Sequence, residues 1–153
     1  MKTTVLLFGV GNVLRGDDGA GPAVVEMLRR ESLGWLRAVD CGQNPENWLS
    51  LIGREHPEEV LFVDAATMGL DAGSIRRISP EAPTIRDPGL IDLPWRLLLA
   101  SYVTTKITFI GIEPRQCSLG APLSAEVTLA VTETARSIAG RGWPEIPLLP
   151  LTR

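Results

Sequence analysis

Val5-Leu6-Leu7-Phe8-Gly9-Val10-Gly11-Asn12-Val13-Leu14-Arg15-Gly16-Asp17-Asp18-Gly19 is the stretch from which the fold can be worked out. Its unbroken apolar start reads as a strand buried on both faces. Two spaced glycines and an Asn end that strand, and two carboxylates follow. From Ala20 onward, Val24, Val25, Met27 and Leu28 recur at helical spacing. Asp17 or Asp18 is placed to cap that helix. A strand turning directly into a helix is the opening unit of an α/β domain. In an open sheet, ligands bind at the carboxyl end of such a strand.

The same pattern repeats along the chain. Trp35 to Asp40 reads as a second strand, ended by Cys41-Gly42. Asn44-Pro45-Glu46-Asn47 is a helix-start pattern, with Trp48, Leu51 and Ile52 supplying the apolar face. Glu59 to Val63 is a third buried strand and runs straight into Asp64-Ala65-Ala66. After a glycine turn, Ser74 to Ile78 alternates like an edge strand. Pro80, Pro83, Pro88 and Gly89 exclude a long helix over 79–92. Leu90 to Tyr102 reads as helical, with Pro94 in its first turn. Lys106 to Ile112 is the last buried strand. Leu123 to Ile138 is an amphipathic helix, with Ser124 at its start and Gly140 after its end. From Trp143 prolines recur, which reads as an extended surface tail.

Alternating strands and helices make residues 1–153 a single α/β domain. Its five strands form a mostly parallel sheet with helices on both faces, mixed if the 74–78 strand runs antiparallel. The 153 residues suffice for one core. A net charge of −3 leaves no basic footprint, so nucleic acid is not an expected partner. No apolar run approaches the ~20 residues of a membrane span. The N-terminal apolar run is broken by Gly9, Gly11 and Asn12 and leads into charged residues, unlike a secretion signal. The expected location is the cytoplasm. Cys41 and Cys117 are isolated and read as small core residues, not as a disulfide or a zinc site.

Three strands end at or just before Asp: Asp17 and Asp18 after the first, Asp40 at the second, Asp64 after the third. Parallel strands align their carboxyl ends, so Asp18 and Asp64 are expected to face one cleft, with Asp40 a weaker candidate. Gathered carboxylates repel one another unless a cation neutralises them, one stays protonated, or water solvates them. A divalent metal site is one reading; turn and helix-cap roles are the other. A dinucleotide site fits poorly. Leu14 stands where the third glycine of G-x-G-x-x-G belongs, and the acidic pair would face the pyrophosphate. No Gly-Lys-Ser/Thr follows, so a Walker loop is absent. The single imidazole, His56, precedes the third strand and lies at the opposite end from the carboxylates. An imidazole-assisted Ser or Cys nucleophile is therefore disfavoured.

Four segments, in order and over roughly residues 3–140, resemble the hydrogenase maturation proteases. They are Gly9-Val10-Gly11-Asn12 with Gly16-Asp17-Asp18-Gly19-Ala20-Gly21-Pro22; Asp40-Cys41-Gly42 with Pro45-Glu46-Asn47; Val63-Asp64-Ala65-Ala66-Thr67-Met68-Gly69 with Gly73; and Phe109-Ile110-Gly111-Ile112-Glu113-Pro114. The likeness is nearest to the branch that matures the hydrogenase of formate hydrogenlyase. It implies a three-layer α/β/α sandwich. It implies an endopeptidase that removes the C-terminal extension of a [NiFe]-hydrogenase large-subunit precursor, with nickel already loaded in that precursor as the recognition signal. The family's metal-binding carboxylates map onto Asp18 and Asp64, which makes them the expected catalytic pair. The family's third ligand is a His, and its position here is Ile91. The neighbouring Asp92 is then the candidate third ligand, or the cap of the helix that follows. Without Asp92, two protein ligands would be completed by groups of the precursor. An alternative is a chaperone-like protein of the same fold that docks the precursor without cutting it.

Overall fold

The computed structural model describes residues 3–79 and 105–150. Strand β1 (Val5–Gly9) leads through a 3-10 turn (Gly16–Gly19) into helix α1 (Ala20–Arg29). Strand β2 (Leu36–Asp40) is followed by a 3-10 turn (Pro45–Trp48) and the short helix α2 (Ser50–Glu55). Strands β3 (Glu59–Ala65), β4 (Ile75–Ile78) and β5 (Lys106–Ile112) precede helix α3 (Ala125–Ala139) and a last 3-10 turn (Trp143–Glu145).

These five strands form one sheet in the order β2-β1-β3-β5-β4. The first four are parallel, and β4 runs antiparallel along β5 as the mixed edge. Side chains alternate across the sheet, so β1 serves two cores at once. Val5 and Leu7 face α1 and α3, together with Leu61, Val63, Ile110 and Ile112. Leu6 and Phe8 face the layer of Leu51 and Ile52, together with Val60, Phe62 and Phe109. On that second face Phe8, Phe62 and Phe109 sit at paired positions of three neighbouring strands, with ring centroids 5.1 and 5.2 Å apart. This row welds the strands that carry the site.

Helix α1 lies unusually close to the sheet, and glycines permit it. A Cβ on Gly9 would come within 2.5 Å of the Gly21 carbonyl. A Cβ on Gly21 would strike the carbonyl oxygens of Val10 and Val63.

Several expectations are corrected. Neither Asp17 nor Asp18 caps α1: its N-cap is Gly19, without a side-chain cap bond. Trp48 is exposed, and the buried residues of the α2 layer are Leu49, Leu51 and Ile52. Strand β3 continues through Asp64 to Ala65. The tail is no free surface segment. Trp143, Ile146 and Leu149 are buried, and Leu148 bridges to Arg77 on the edge strand. Arg77 N–H donates to Pro147 O and Leu149 N–H to Arg77 O, both at 2.8 Å, so the tail covers an edge that would otherwise offer unpaired backbone. Cys41 is a core residue as expected, but Cys117 is exposed. The helix expected over Leu90 to Tyr102, with Ile91 and Asp92, lies outside the described residues.

Candidate active site

Strand order reverses between β1 and β3, because the chain adds β2 on one side of β1 and every later strand on the other. Such a switch point opens a crevice at the carboxyl ends of the two strands. Asp18 follows β1 and Asp64 stands near the end of β3, so the topology delivers both to that crevice.

The two adjacent carboxylates after β1 do different work. Asp17 is fully buried. Its Oδ2 accepts the N–H groups of Arg115 (2.8 Å) and Gln116 (3.1 Å) and the Ser124 hydroxyl (2.8 Å). Its Oδ1 accepts the Ser124 N–H at 2.7 Å. Burial alone would raise this carboxyl, but the four bonds outweigh it and hold Asp17 below the usual carboxylate range. Asp17 therefore fastens the turn before α1 to the loop before α3. Asp18 is half-buried and accepts the Asn12 N–H at 2.8 Å. Gly11 has φ +144°, and a Cβ there would collide with the Asp18 carbonyl, so the loop closes this tightly only with glycine.

Asp64 is 2% exposed, and its Oδ1 has no hydrogen-bond partner among the described residues. Burial first, and the charge of Asp18 second, push its carboxyl well above the usual range, against the pull of the Ala65 amide. Burial of this kind disfavours the charged form. A buried polar oxygen left without a partner is costly in a native fold and marks a position built for something else.

Asp40 does not join this pair. It is exposed, and its Oδ1 turns back to accept the Gly42 N–H at 2.9 Å. The turn reading holds for it. His56 is exposed at the C-terminal end of α2, before β3, far along the strand from Asp64. Among the described residues, no three His, Cys, Asp or Glu side chains are grouped closely enough to hold a metal by themselves. A cleft of about 400 Å³ between β4, α3 and the tail contains none of these carboxylates.

Two further residues at the site were given no site role in the reading of the sequence. Glu113, just past β5, is buried, and its Oε1 accepts the N–H groups of Met68 (2.7 Å) and Leu70 (3.0 Å). It thereby shapes the loop that leaves Asp64. Cys117 follows Gln116, whose carbonyl accepts the Asp17 N–H at 2.9 Å. That places its thiol within the field of Asp18, Asp17 and Asp64. Strand β5 neighbours β3, so polar residues in the loop after it were the available signal.

No protein-family profile matches the chain. It is 31% identical over 142 residues to the hydrogenase 3 maturation protease of Escherichia coli K12, covering 90% of both chains. The chain belongs to the hydrogenase maturation proteases. The solution structure of the endopeptidase HycI from Escherichia coli superposes with a TM-score of 0.85 at 29% identity, covering 99% of each chain. The crystal structure of the [NiFe] hydrogenase maturation protease HycI from Thermococcus kodakarensis gives 0.79 at 29% identity, covering 92% and 93%. These likenesses agree with the branch to which the motifs pointed and with the three-layer α/β/α fold. As a maturation protease this chain is a hydrolase.

Proposed function

We propose that this maturation protease is a cytoplasmic endopeptidase that removes the C-terminal extension of a nickel-loaded [NiFe]-hydrogenase large-subunit precursor, with Asp18 and Asp64 meeting the nickel that the precursor brings. The observation that carries the site is Asp64 Oδ1, without a hydrogen-bond partner among the described residues and buried beside Asp18 at the switch point of the sheet.

The chemistry follows from these two environments. Asp64 is buried, which disfavours its charged form. A cation bound beside it would favour the carboxylate. A metal-loaded precursor is thus distinguished from an empty one by what it does to Asp64. Nickel held there by Asp18 and Asp64 would supply Lewis-acid polarisation of the scissile carbonyl or of the attacking water. Asp18 is half-buried and open to the crevice, and is positioned to orient that water and accept its proton. The Asn12 amide fixes Asp18 from behind, and Glu113 fixes the backbone beyond Asp64. Asp92, the candidate third ligand, lies outside the described residues.

The test is incubation of the purified protein with nickel-loaded precursor, following loss of the C-terminal extension by mass. Wild type cleaves; Asp18→Asn and Asp64→Asn lose cleavage by orders of magnitude while still folding. Unchanged cleavage in both variants overturns the site. Precursor binding without cleavage by wild type overturns the endopeptidase.

A further inference from the structure

Six large apolar side chains stand exposed among the described residues: Val13, Leu14, Trp48, Leu119, Leu129 and Leu148. Single exposed apolar residues are ordinary on a protein surface, and Leu129 on α3 and Leu148 in the tail are of that kind. Val13, Leu14 and Leu119 differ in being gathered. They lie in the loops after β1 and β5, at the carboxyl edge of the sheet, and are 63%, 65% and 71% exposed. Backbone joins the two loops beside them: Gly120 N–H donates to Leu14 O at 2.7 Å. The first loop is also bonded to the candidate site. Leu14 N–H donates to the Asn12 side-chain oxygen at 2.9 Å, and Asn12 N–H donates to Asp18 Oδ2 at 2.8 Å. Arg15 N–H to Asn12 O and Asp18 N–H to Arg15 O, both at 3.0 Å, close the turn on itself. The apolar side chains are thus held out to solvent on fixed backbone beside the crevice.

We propose that Val13, Leu14 and Leu119 form a docking platform for the polypeptide that is cut, taking aliphatic side chains of the precursor segment next to the scissile bond. This rests on the function proposed above. Continuity with the crevice selects that occupant. One asparagine and two hydrogen bonds separate Leu14 N from Asp18 Oδ2, a path no longer than about three residues of extended chain at ~3.3 Å each. The chemistry of the surface agrees. Its centre is aliphatic and its edge carries exposed Arg15 and Ser118, an apolar core with a polar rim. Burying such side chains against others of their kind is favourable in proportion to the area removed from water. Because the loops are already fixed by backbone bonds, little ordering on this side opposes docking. The size of the surface fits an extended segment. Three side chains fall well short of the ~800 Å² per partner that a stable dimer needs.

The experiment uses the full chain and nickel-loaded precursor. Steady-state cleavage gives kcat and KM, and titration of fluorescently labelled precursor gives binding. Leu14→Ser and Leu119→Ser are each expected to raise KM and weaken precursor binding by ~3–10-fold, and the double variant by ~10–100-fold, without lowering the urea midpoint. Leu14→Met keeps the apolar surface and is expected to restore most of the affinity. Leu129→Ser, an equally exposed leucine away from the crevice, is the control and is expected to change neither quantity. Unchanged KM and binding in the double variant overturn the proposal. So does a urea midpoint that falls in Leu14→Ser as far as in the core truncation Leu61→Ala, because the chain itself then covers the patch. A wild-type dimer that the double variant dissociates, seen by sedimentation, overturns it as well. Cleavage that requires Asp18 and Asp64 but is indifferent to the double variant removes only the platform. Binding that weakens in the double variant while wild type cuts nothing removes the endopeptidase and leaves the platform.

Discussion

Asp17 and Ser124 are bonded twice across the molecule: Oδ1 of Asp17 accepts the Ser124 N–H at 2.7 Å, and Oδ2 accepts its hydroxyl at 2.8 Å. Ser124 is also the N-cap of α3, with its Oγ accepting from Val127 N–H at 3.4 Å. One buried carboxylate therefore ties the turn after β1 to the start of the last helix, and keeps Asp18 in place beside it.

Removing that tie leaves several buried donors without acceptors. Asp17→Ala is expected to destabilise the fold by about 2–4 kcal/mol, since each unsatisfied buried donor costs on the order of 1–3 kcal/mol and the losses overlap. Ser124→Ala is expected to cost about 1 kcal/mol as a lost cap. Urea midpoints measure both. The native state holds Asp17 below its unfolded value. Its contribution is therefore present above the ordinary carboxylate range and is lost as pH falls through the lowered native value. A wild-type protein that loses no more stability in acid than Asp17→Ala would contradict this.

Asp64 has the opposite sign. Its native value is raised, so the associated stability is fully present below the ordinary carboxylate range and drains away as pH rises through the raised value. Asp64→Asn removes that drain. The variant is expected to melt above wild type at pH 8, with the gap closing towards pH 4, while cleaving no precursor. Melting temperatures across this range decide it; parallel curves would show that Asp64 ionises freely in the native state.

Gly21 is where α1 touches the sheet. Gly21→Ala places a methyl group against the carbonyl oxygens of Val10 and Val63. Backbone cannot yield there as a side-chain tip can. The expected loss is about 1–3 kcal/mol or more, from overpacking. Gly53, whose Cβ would meet nothing, is the control: Gly53→Ala on the exposed side of α2 is expected to be neutral or mildly stabilising. Equal unfolding midpoints for both variants would refute the close-packing account.

Glu113 acts through the Asp64 loop. Glu113→Ala frees the Met68 and Leu70 amides and is expected to lower the cleavage rate by ~10-fold, a loss of ~1.4 kcal/mol in transition-state stabilisation. Glu113→Gln keeps an oxygen that accepts both N–H groups and is expected to restore most of the rate. Single-turnover cleavage of the precursor separates this from weakened precursor binding. If Glu113→Gln is as slow as Glu113→Ala, the charge matters and the positioning account fails.

Elements set by local chain chemistry were legible in the sequence. Continuous apolar runs gave β1, β3 and β5, and the bounds of Lys106–Ile112 were met to the residue. Ser124 and Gly140 marked the ends of α3 because capping is a short-range interaction. The alternation of strand and helix gave a parallel sheet and, from it, the edge where Asp18 and Asp64 meet. Prolines misled at the tail. They argue against regular structure, yet Trp143, Ile146 and Leu149 still found apolar surface and an open strand edge to cover.

The sequence by itself determined which strands end in carboxylates, because the periodicity that marks a strand is written in residue types a few positions apart. It did not distinguish Asp17 from Asp18 except by likeness to a family. Only the tertiary structure decided that Asp17 is consumed by donors about a hundred residues away, while Asp64 Oδ1 keeps none among the described residues. It alone set Glu113 behind the Asp64 loop and Cys117 beside the pair. The reason is physical: what a polar side chain does depends on burial and on donors brought to it by long-range packing, and neither is a property of the neighbouring residues in the chain.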